Sequence, residues 1–251
     1  MRKLLLGFGL ALALATAAGA QGYSPAAQRV LARARAAAGG AGWNGLRGWH
    51  ETGRLGGVAY EAWLDPLRYG MRVETREADG THVHGFNGGG DWRIAPSGAM
   101  TGADVRTRIS PARTDAFFDV HGYFYPGRFD ARGEYLGVRT LQGRRYEVVM
   151  VKPWAAEPRE LWFDARTHLL ARMVDRTGPK PTAVRFSDYR KVGPVRVAFR
   201  IWTEGPGGAP TSVRQVDSVS FPPVERNLFS LPRPTAAGTP AAEGPATGPA
   251  S

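Results

Sequence analysis

Apolar and polar residues alternate with a period of two along most of the chain, most clearly between Arg144 and Ile201. In the segment 195–201, Val, Val, Phe and Ile fall on one face, and the residues between them fall on the other. Such alternation predicts strands with one buried face. Short breaks at 164–167 and 189–194 separate the strands, and connections this short require antiparallel pairing. The region is therefore predicted to be an antiparallel meander of five strands.

The same period predicts strands on both sides of this region. They fall at 46–55, 57–65, 67–77, 81–87, 91–95, 134–141 and 211–221. Gly, Pro and Asp clusters separate them, and their one-sided pattern is typical of an antiparallel sheet. The sequence as a whole predicts a mainly β (α+β) domain of about 11–12 strands.

Two short segments carry helical signals instead. Ser24 is a suitable N-cap, Pro25 suits the first helical position, and Gly39-Gly40 end a segment with a thin, alanine-rich apolar stripe. Ser110-Pro111 can start a second short helix, which is followed by the aromatic string 121–126. These two helices are the only candidates to pack against the sheet.

The two ends of the chain differ from this domain. Arg2 and Lys3 precede the apolar run 4–17, and small residues follow it, which predicts a signal peptide over 1–20 with cleavage between Ala20 and Gln21. No later segment is long and apolar enough to predict a membrane span. The stretch 233–251 consists largely of Pro, Ala, Gly and Thr, and is predicted to be a disordered tail. The folded domain is expected at 21–232.

The chain of 251 residues is basic, with 33 Lys and Arg against 22 Asp and Glu, and it contains no cysteine. The absence of cysteine excludes disulfides, thiol catalysis and a lipidated N-terminal cysteine. The positive charge favours an anionic membrane surface or acidic envelope proteins as partners. Nucleic acid is not expected, because no recognition motif is present and an exported protein does not meet it.

A sheet of this size is expected to enclose space. Antiparallel sheets of eleven or twelve strands twist and curl, and a barrel of about 8 strands is already filled by its own side chains. A helix that offers mainly alanine fills little of a larger interior. This reasoning predicts a residual apolar cavity that can hold a lipid-like ligand. The alternative is a flat, solid-cored sheet with one helix packed on it.

Several segments resemble the outer-membrane lipoprotein-sorting (LolA-like) superfamily. They are the helix ending in Gly-Gly, WHETG at 49–53, GFNG at 85–88 with Asp91-Trp92, LWFDARTHLLARM at 161–173, the hairpin FSDYRKVGPVRVAFRI and the closing NLFSLP. The resemblance covers nearly all of 24–232. It implies a half-open antiparallel β-barrel, covered by helices on its concave face, that carries acyl chains there.

The resemblance further implies a periplasmic function. The receptor type in this superfamily is anchored through a lipidated cysteine, which this chain lacks, and the two-domain regulator type is longer. A monomeric carrier of lipid or lipoprotein acyl chains is therefore expected. The lid-locking arginine of the carrier cannot be placed in this arginine-rich sequence. An envelope sensor or protein-interaction domain of the same fold is the alternative.

Binding of acyl chains is hydrophobic and requires neither a cofactor nor a catalytic group, because each buried methylene contributes about 0.8 kcal/mol. Inward-facing strand residues are the candidate cavity wall: Tyr60, Leu64, Tyr69, Met71, Val73, Val197, Phe199 and Ile201. Four aromatic residues of the middle segment are the candidate cover: Phe117, Phe118, Tyr123 and Phe124.

An enzymatic function would require a metal. His82 and His84 share one face of a predicted strand, and His50 or His121 could supply a third ligand. The sequence shows no carboxylates at a useful spacing, and it lacks the serine-hydrolase, zinc-protease and phosphate-loop motifs. A protein that is not an enzyme is therefore expected, without a bound metal.

Overall fold

A computed structural model describes residues 22–106 and 108–232. The predicted signal peptide at 1–20 and the predicted disordered tail at 233–251 lie outside the described residues. Within the described ranges the chain is mainly β-structure, with two α-helices and four 3-10 turns. None of the helices in these ranges is both long enough and apolar enough to cross a membrane.

Thirteen strands occur in the described ranges, and twelve of them coincide with the segments that the sequence predicts. They are β1 (Trp49–Leu55), β2 (Val58–Asp65), β3 (Gly70–Glu77), β4 (Gly80–Asn87), β5 (Gly90–Ile94), β6 (Met100–Asp104), β7 (Ala131–Leu141), β8 (Arg144–Pro153), β9 (Arg159–Asp164), β10 (Leu170–Asp175), β11 (Thr182–Val192), β12 (Val195–Glu204) and β13 (Pro210–Ser220). The additional strand is β6, whose residues are all exposed and show no alternation. The predicted number of about 11–12 strands was therefore one or two too low.

All thirteen strands form one antiparallel sheet in the order β6-β5-β4-β3-β2-β1-β13-β12-β11-β10-β9-β8-β7. Two meanders, β1–β6 and β7–β13, are thus joined by pairing between the first strand and the last. In the part of the chain that the structure describes, no ladder joins the edge strands β6 and β7, so the sheet is not closed. The segment 105–130 connects these two edges.

The sheet is curled. Met71 on β3 and Met173 on β10 are six strands apart in the sheet order, about 29 Å in a flat sheet, yet both line one cleft. Inward-facing residues of both meanders, such as Leu64 and Leu161, join a single hydrophobic core. The sheet therefore has a concave face around this core and a convex face turned outward.

The two α-helices begin as the sequence predicts. In α1 (Pro25–Ala37) the Ser24 hydroxyl accepts a hydrogen bond from the Ala27 N–H at 3.3 Å. In α2 (Pro111–Asp119) the Ser110 hydroxyl accepts one from the Arg113 N–H at 3.3 Å. Both helices contribute side chains to the hydrophobic core, and the 3-10 turn Gly122–Phe124 follows α2.

One predicted turn is confirmed and another is longer than predicted. Asp164 Oδ1 accepts hydrogen bonds from the N–H groups of Arg166 and Thr167 at 3.0 and 2.9 Å, which closes the predicted tight hairpin. Strand β3 begins only at Gly70, and Tyr69 lies in the preceding turn with a φ of 69°. The prediction that Tyr69 belongs to a strand was therefore wrong.

The C-terminal segment covers the convex face of the first meander. Trp92 pairs with Gly85 on this face, and its indole N–H donates to the Phe229 carbonyl at 2.8 Å. Phe229 is buried, and its ring lies so close to Gly70 that a Cβ there would be 2.7 Å away. The NLFSLP segment thus covers one side of the sheet.

Candidate functional site

An open cleft of about 650 Å³ lies on the concave face. Strands β3–β6 form one wall, β9 and β10 contribute the opposite wall, and α2 also lines the cleft. Eight apolar residues form its hydrophobic part: Met71, Val73, Val83, Ile94, Ala95, Ala99, Phe118 and Met173. Charged and polar residues of the same strands and of α2 complete the lining. The cleft can therefore contact both an apolar chain and a polar group.

Helix α2 turns two carboxylates toward this cleft. Asp115 and Asp119 are one helical turn apart, with Phe118 beside them on the same face. Desolvation in the cleft raises the pKa of Asp115 to about 6, and the nearby carboxylate of Asp119 acts in the same direction. The guanidinium of Arg159 opposes this shift. Asp115 thus carries a titration close to physiological pH.

This pKa predicts a pH-dependent effect of the substitution Asp115→Asn. A pKa that is higher in the folded state than in the unfolded state means that folding favours the protonated carboxyl. The contribution of this carboxyl to the free energy of unfolding is therefore present at low pH and is lost as the pH rises from about 4 to 6. Asparagine resembles the protonated form at every pH. We expect the variant to melt above the wild type at pH 8, by on the order of 2 °C because solvent screens this carboxylate. At pH 3.5 the thermal melts of the variant and the wild type should coincide. An equal rise in Tm at both pH values would contradict the raised pKa of Asp115.

A buried charged network lies next to the cleft. The side chain of Glu51 is only 4% exposed. Arg214 donates to its Oε1 through Nε at 2.9 Å and through Nη2 at 2.5 Å. The Tyr60 hydroxyl donates to the same oxygen, and the Trp49 indole N–H donates to Oε2 at 3.1 Å. Side chains of β1, β2 and β13 therefore meet on one carboxylate, across the junction of the two meanders.

The network extends to the C-terminal end of α2. Arg214 Nη1 lies 3.7 Å from Asp119 Oδ1, and the Nδ1–H of His121 donates to the Asp119 carbonyl at 3.0 Å. Burial raises the pKa of Asp119, although Arg214 opposes this. Burial also lowers the pKa of His121 to about 4, so its ring is neutral at physiological pH and stacks on Trp49. The end of α2 is thus attached to the sheet through Arg214.

Aromatic side chains fill most of the interior behind the cleft. Phe124 packs against Trp43 at a ring distance of 5.2 Å and against Tyr123 at 4.7 Å. A closed cavity of only about 50 Å³ remains beside Glu51 and Arg214. Side chains therefore occupy most of the interior, and the larger space is the cleft, which is open to solvent. The predicted apolar cavity for a lipid-like ligand stays a prediction. The flat sheet of the alternative prediction is wrong, since the sheet curls.

The twelve residues predicted to contact a ligand fall into three groups. Three line the open cleft: Met71, Val73 and Phe118. Five line the small closed cavity, and Phe118 belongs to both groups: Leu64, Phe118, Tyr123, Val197 and Ile201. The remaining five lie in the core or pack against its edge: Tyr60, Tyr69, Phe117, Phe124 and Phe199. Their role in ligand binding stays a prediction.

The histidines that an enzymatic metal site would require do not come together in the described part of the chain. His82 and His84 lie on one face of β4, but His82 Nε2 lies 3.0 Å from Asp79 and His84 Nε2 lies 3.0 Å from Asp91. His50 contacts Glu61 at 2.7 Å, and His121 lies against Trp49. Carboxylates do accompany His82, contrary to the prediction, because Glu77 and Asp79 place oxygens within 4.8 Å of its ring nitrogen and of each other. These groups are largely exposed. Exposed acidic groups commonly lie this close together without a metal.

Glu51, Asp119 and Arg214 are not among the functional candidates that the sequence predicts. Glu51 could have been noticed, because it occupies an inward position of β1, two residues after the buried Trp49. Arg214 gives no comparable signal in a chain with so many arginines.

Comparisons with protein-family models and with curated proteins give no match. Solved structures do match over most of the chain. A DUF1329 family protein from Desulfovibrio piger has a TM-score of 0.55 at 12% identity, covering 82% of this chain and 98% of that one. A LolA superfamily protein from Nitrosomonas europaea has a TM-score of 0.52 at 14% identity, covering 82% and 97%.

A domain from Vibrio parahaemolyticus, described as an outer-membrane lipoprotein-sorting protein domain, has a TM-score of 0.51 at 14% identity. It covers 81% of this chain and 94% of its own length. Identities this low establish the fold alone. The matches agree with the open, curled antiparallel sheet and with the nearly full-length resemblance seen in the sequence. This protein therefore has a LolA-like fold.

Proposed function

We propose that this protein is an exported periplasmic carrier that binds lipid or lipoprotein acyl chains on its concave face and transfers them without covalent chemistry. The observation that carries this proposal is the open cleft of about 650 Å³, whose apolar side chains come from both walls of the curled sheet and from α2. The volume lies within the range of about 300–1,000 Å³ typical of small-ligand sites. The LolA-like fold and the description of the Vibrio domain support the same class of ligand.

The energetics suit reversible carriage. Each methylene that the cleft shields from water contributes about 0.8 kcal/mol, so an eight-carbon contact already gives several kcal/mol. Because the cleft is open, an acyl chain can enter and leave without unfolding of the sheet. Transfer then requires only that the acceptor shields more of the chain than the cleft does.

Helix α2 is the proposed cover of the half-open barrel. Phe118, Asp119 and Met173 line both the open cleft and the small closed cavity. A shift of α2 that moves Phe118 would join the two spaces and lengthen the apolar channel. The contact of 3.7 Å between Asp119 and Arg214 opposes such a shift. This ion pair is therefore positioned to hold the covered state in the absence of a ligand.

The second candidate function is an envelope sensor or protein-interaction domain. It is favoured by the filled interior, where the closed cavity of about 50 Å³ is far too small for an acyl chain. Under this alternative the cleft is vestigial, and exposed surface binds a protein partner. Lipid binding by the purified protein separates the two functions.

The test compares two valine-to-tryptophan variants in a fluorescent fatty-acid titration. Val73 lines the cleft, so Val73→Trp is expected to weaken binding at least tenfold by occupying the space. Val138 on the edge strand β7 is 41% exposed, so Val138→Trp should bind like the wild type. Native mass spectrometry of protein from the periplasm should show bound acyl chains. A wild type that carries none and takes up no probe would favour the sensor function.

A further inference from the structure

One end of the second meander carries an excess of positive charge. Three hairpins lie there, because the turns β7–β8, β9–β10 and β11–β12 join antiparallel neighbours in one contiguous part of the sheet. These turns and the adjoining strand ends cover 139–147, 164–169 and 188–196, which we call the hairpin end. It contains seven basic residues and three acidic ones: Arg139, Arg144, Arg145, Arg166, Arg190, Lys191 and Arg196, against Glu147, Asp164 and Asp188.

The opposite end of the same strands is balanced in charge. It consists of the turns β8–β9, β10–β11 and β12–β13 with their strand ends, at 150–162, 173–184 and 201–213. It contains four basic and four acidic residues: Lys152, Arg159, Arg176 and Lys180, against Glu157, Glu160, Asp175 and Glu204. The two ends of the strands therefore differ in charge, and the hairpin end is the positive one.

The acidic residues of the hairpin end already have arginine partners. Their carboxylate oxygens lie 2.6–2.8 Å from a guanidinium: Glu147 with Arg33 of α1, Asp164 with Arg144, and Asp188 with Arg190. Five exposed cations then have no ion pair within 4.0 Å in the described part of the chain: Arg139, Arg145, Arg166, Lys191 and Arg196. All three hairpins thus present unpaired positive charge to solvent.

Two of these cations lie side by side at a groove. Lys191 and Arg196 are directly opposite each other in the pairing of β11 with β12. Both line an open groove of about 720 Å³ between their hairpin, Thr167 of the next hairpin and the end of α1. The Arg196 N–H donates to the Ala38 carbonyl at 2.7 Å, which fixes α1 to this hairpin. Like charges directly opposite each other destabilise a strand pair, and an anion between them relieves the repulsion.

We infer that the hairpin end docks on an anionic membrane surface, with lipid phosphate groups at the five unpaired cations and a head group in the groove beside Lys191 and Arg196. Neighbouring hairpins are two strands apart, which is about 10 Å, so the cations can contact several head groups at once. Each Lys or Arg near such a surface strengthens binding about fivefold. The inference goes beyond the proposed carrier function and does not depend on it, because none of these five cations lines the cleft.

The test measures co-sedimentation of the purified protein with vesicles at low ionic strength. Vesicles of phosphatidylcholine with 30% phosphatidylglycerol are compared with vesicles of phosphatidylcholine alone. The wild type should bind the anionic vesicles at least tenfold tighter, because only they offer negative charge to the five cations. In 0.5 M NaCl most of this difference should disappear, since salt screens exposed charges.

Two double variants locate the contact. Lys191→Glu with Arg196→Glu should lower the affinity for the anionic vesicles at least tenfold. Lys152→Glu with Lys180→Glu makes the same change in net charge at exposed positions of the opposite end, and its affinity should stay within threefold of the wild type. Thermal melts of both variants should match the wild type, because all four side chains are exposed.

The outcomes separate the docking surface from the carrier function. Equal loss of affinity in the two double variants would show a dependence on net charge alone and would overturn the inference. Equal binding to both kinds of vesicle, or binding to neither, would also overturn it. A fluorescent fatty acid should bind both double variants as it binds the wild type. If the wild type docks on anionic vesicles but takes up no fatty acid, the carrier function fails and the docking surface stands.

Discussion

Replacing Arg214 with methionine is expected to lower the free energy of unfolding by about 3–5 kcal/mol, because it leaves a buried carboxylate without its cation. The side chain of Glu51 is 4% exposed, and Arg214 provides two of the hydrogen bonds to its Oε1. Only the neutral donors Tyr60 and Trp49 would remain. The predicted fall in Tm is on the order of 10 °C for a domain of this size.

Two further variants test this explanation. Arg214→Met combined with Glu51→Gln removes both charges. The glutamine oxygen can accept from the Trp49 indole N–H while its NH2 group donates to the Tyr60 hydroxyl oxygen, so most of the lost stability should return. Arg145→Met changes an exposed arginine in the same way and should alter the free energy of unfolding by less than about 0.5 kcal/mol. Urea denaturation gives all three values. A double variant as unstable as Arg214→Met would show that packing of the arginine stem, and not its charge, is what matters.

The sheet could be predicted from the sequence because each strand buries one face. In β12 (Val195–Glu204) the residues Val195, Val197 and Phe199 are buried, and the residues between them are exposed or half-buried, as the alternation predicts. Strand β6 (Met100–Asp104) could not be found in this way, because it is an edge strand whose residues are all exposed and whose backbone pairs with β5. An edge strand without a buried face leaves no pattern in the sequence.

The filling of the interior could not be predicted, because it depends on the volumes of the side chains and not on the period of the hydrophobic pattern. The alanine-rich stripe of α1 offers only small side chains to the interior. The aromatic residues after it fill much more, since Trp43 is 1% exposed and Tyr123 is 2% exposed. Aromatic side chains bury about 150–250 Å² each. A few aromatic side chains are therefore enough to fill the space that the curled sheet encloses.

The charged network was missed for a different reason. Carboxylates and arginines are usually exposed, so neither residue type in a strand indicates a buried pair. Glu51 and Arg214 are brought together by the pairing of β1 with β13, and the sequence separates them by more than half of the chain. Only the topology shows that the first and last strands are neighbours. The candidate site therefore depends on a contact that local patterns cannot contain.

The second large effect is expected for Phe117→Ala, which should cost about 3–5 kcal/mol of unfolding free energy. Phe117 is 0% exposed, and its ring packs against Phe118, Tyr69 and Phe129. Alanine would leave a cavity that the surrounding strands cannot collapse to fill, since the packed interior relaxes only partially. Equilibrium urea denaturation measures this loss directly.

Phe118→Ala is the matched control, because the neighbouring ring lies at the boundary between the cleft and the closed cavity. Its loss should be at or below the low end of the range of about 3–5 kcal/mol, since solvent or ligand can enter the vacated space. If Phe118 separates the two spaces, its removal should also tighten the binding of a fluorescent fatty acid. This ligand at 100 times its Kd would then raise the free energy of unfolding of the variant by about 2.7 kcal/mol. Equal destabilisation of the two variants, with no gain in affinity for Phe118→Ala, would mean that both rings are only core residues.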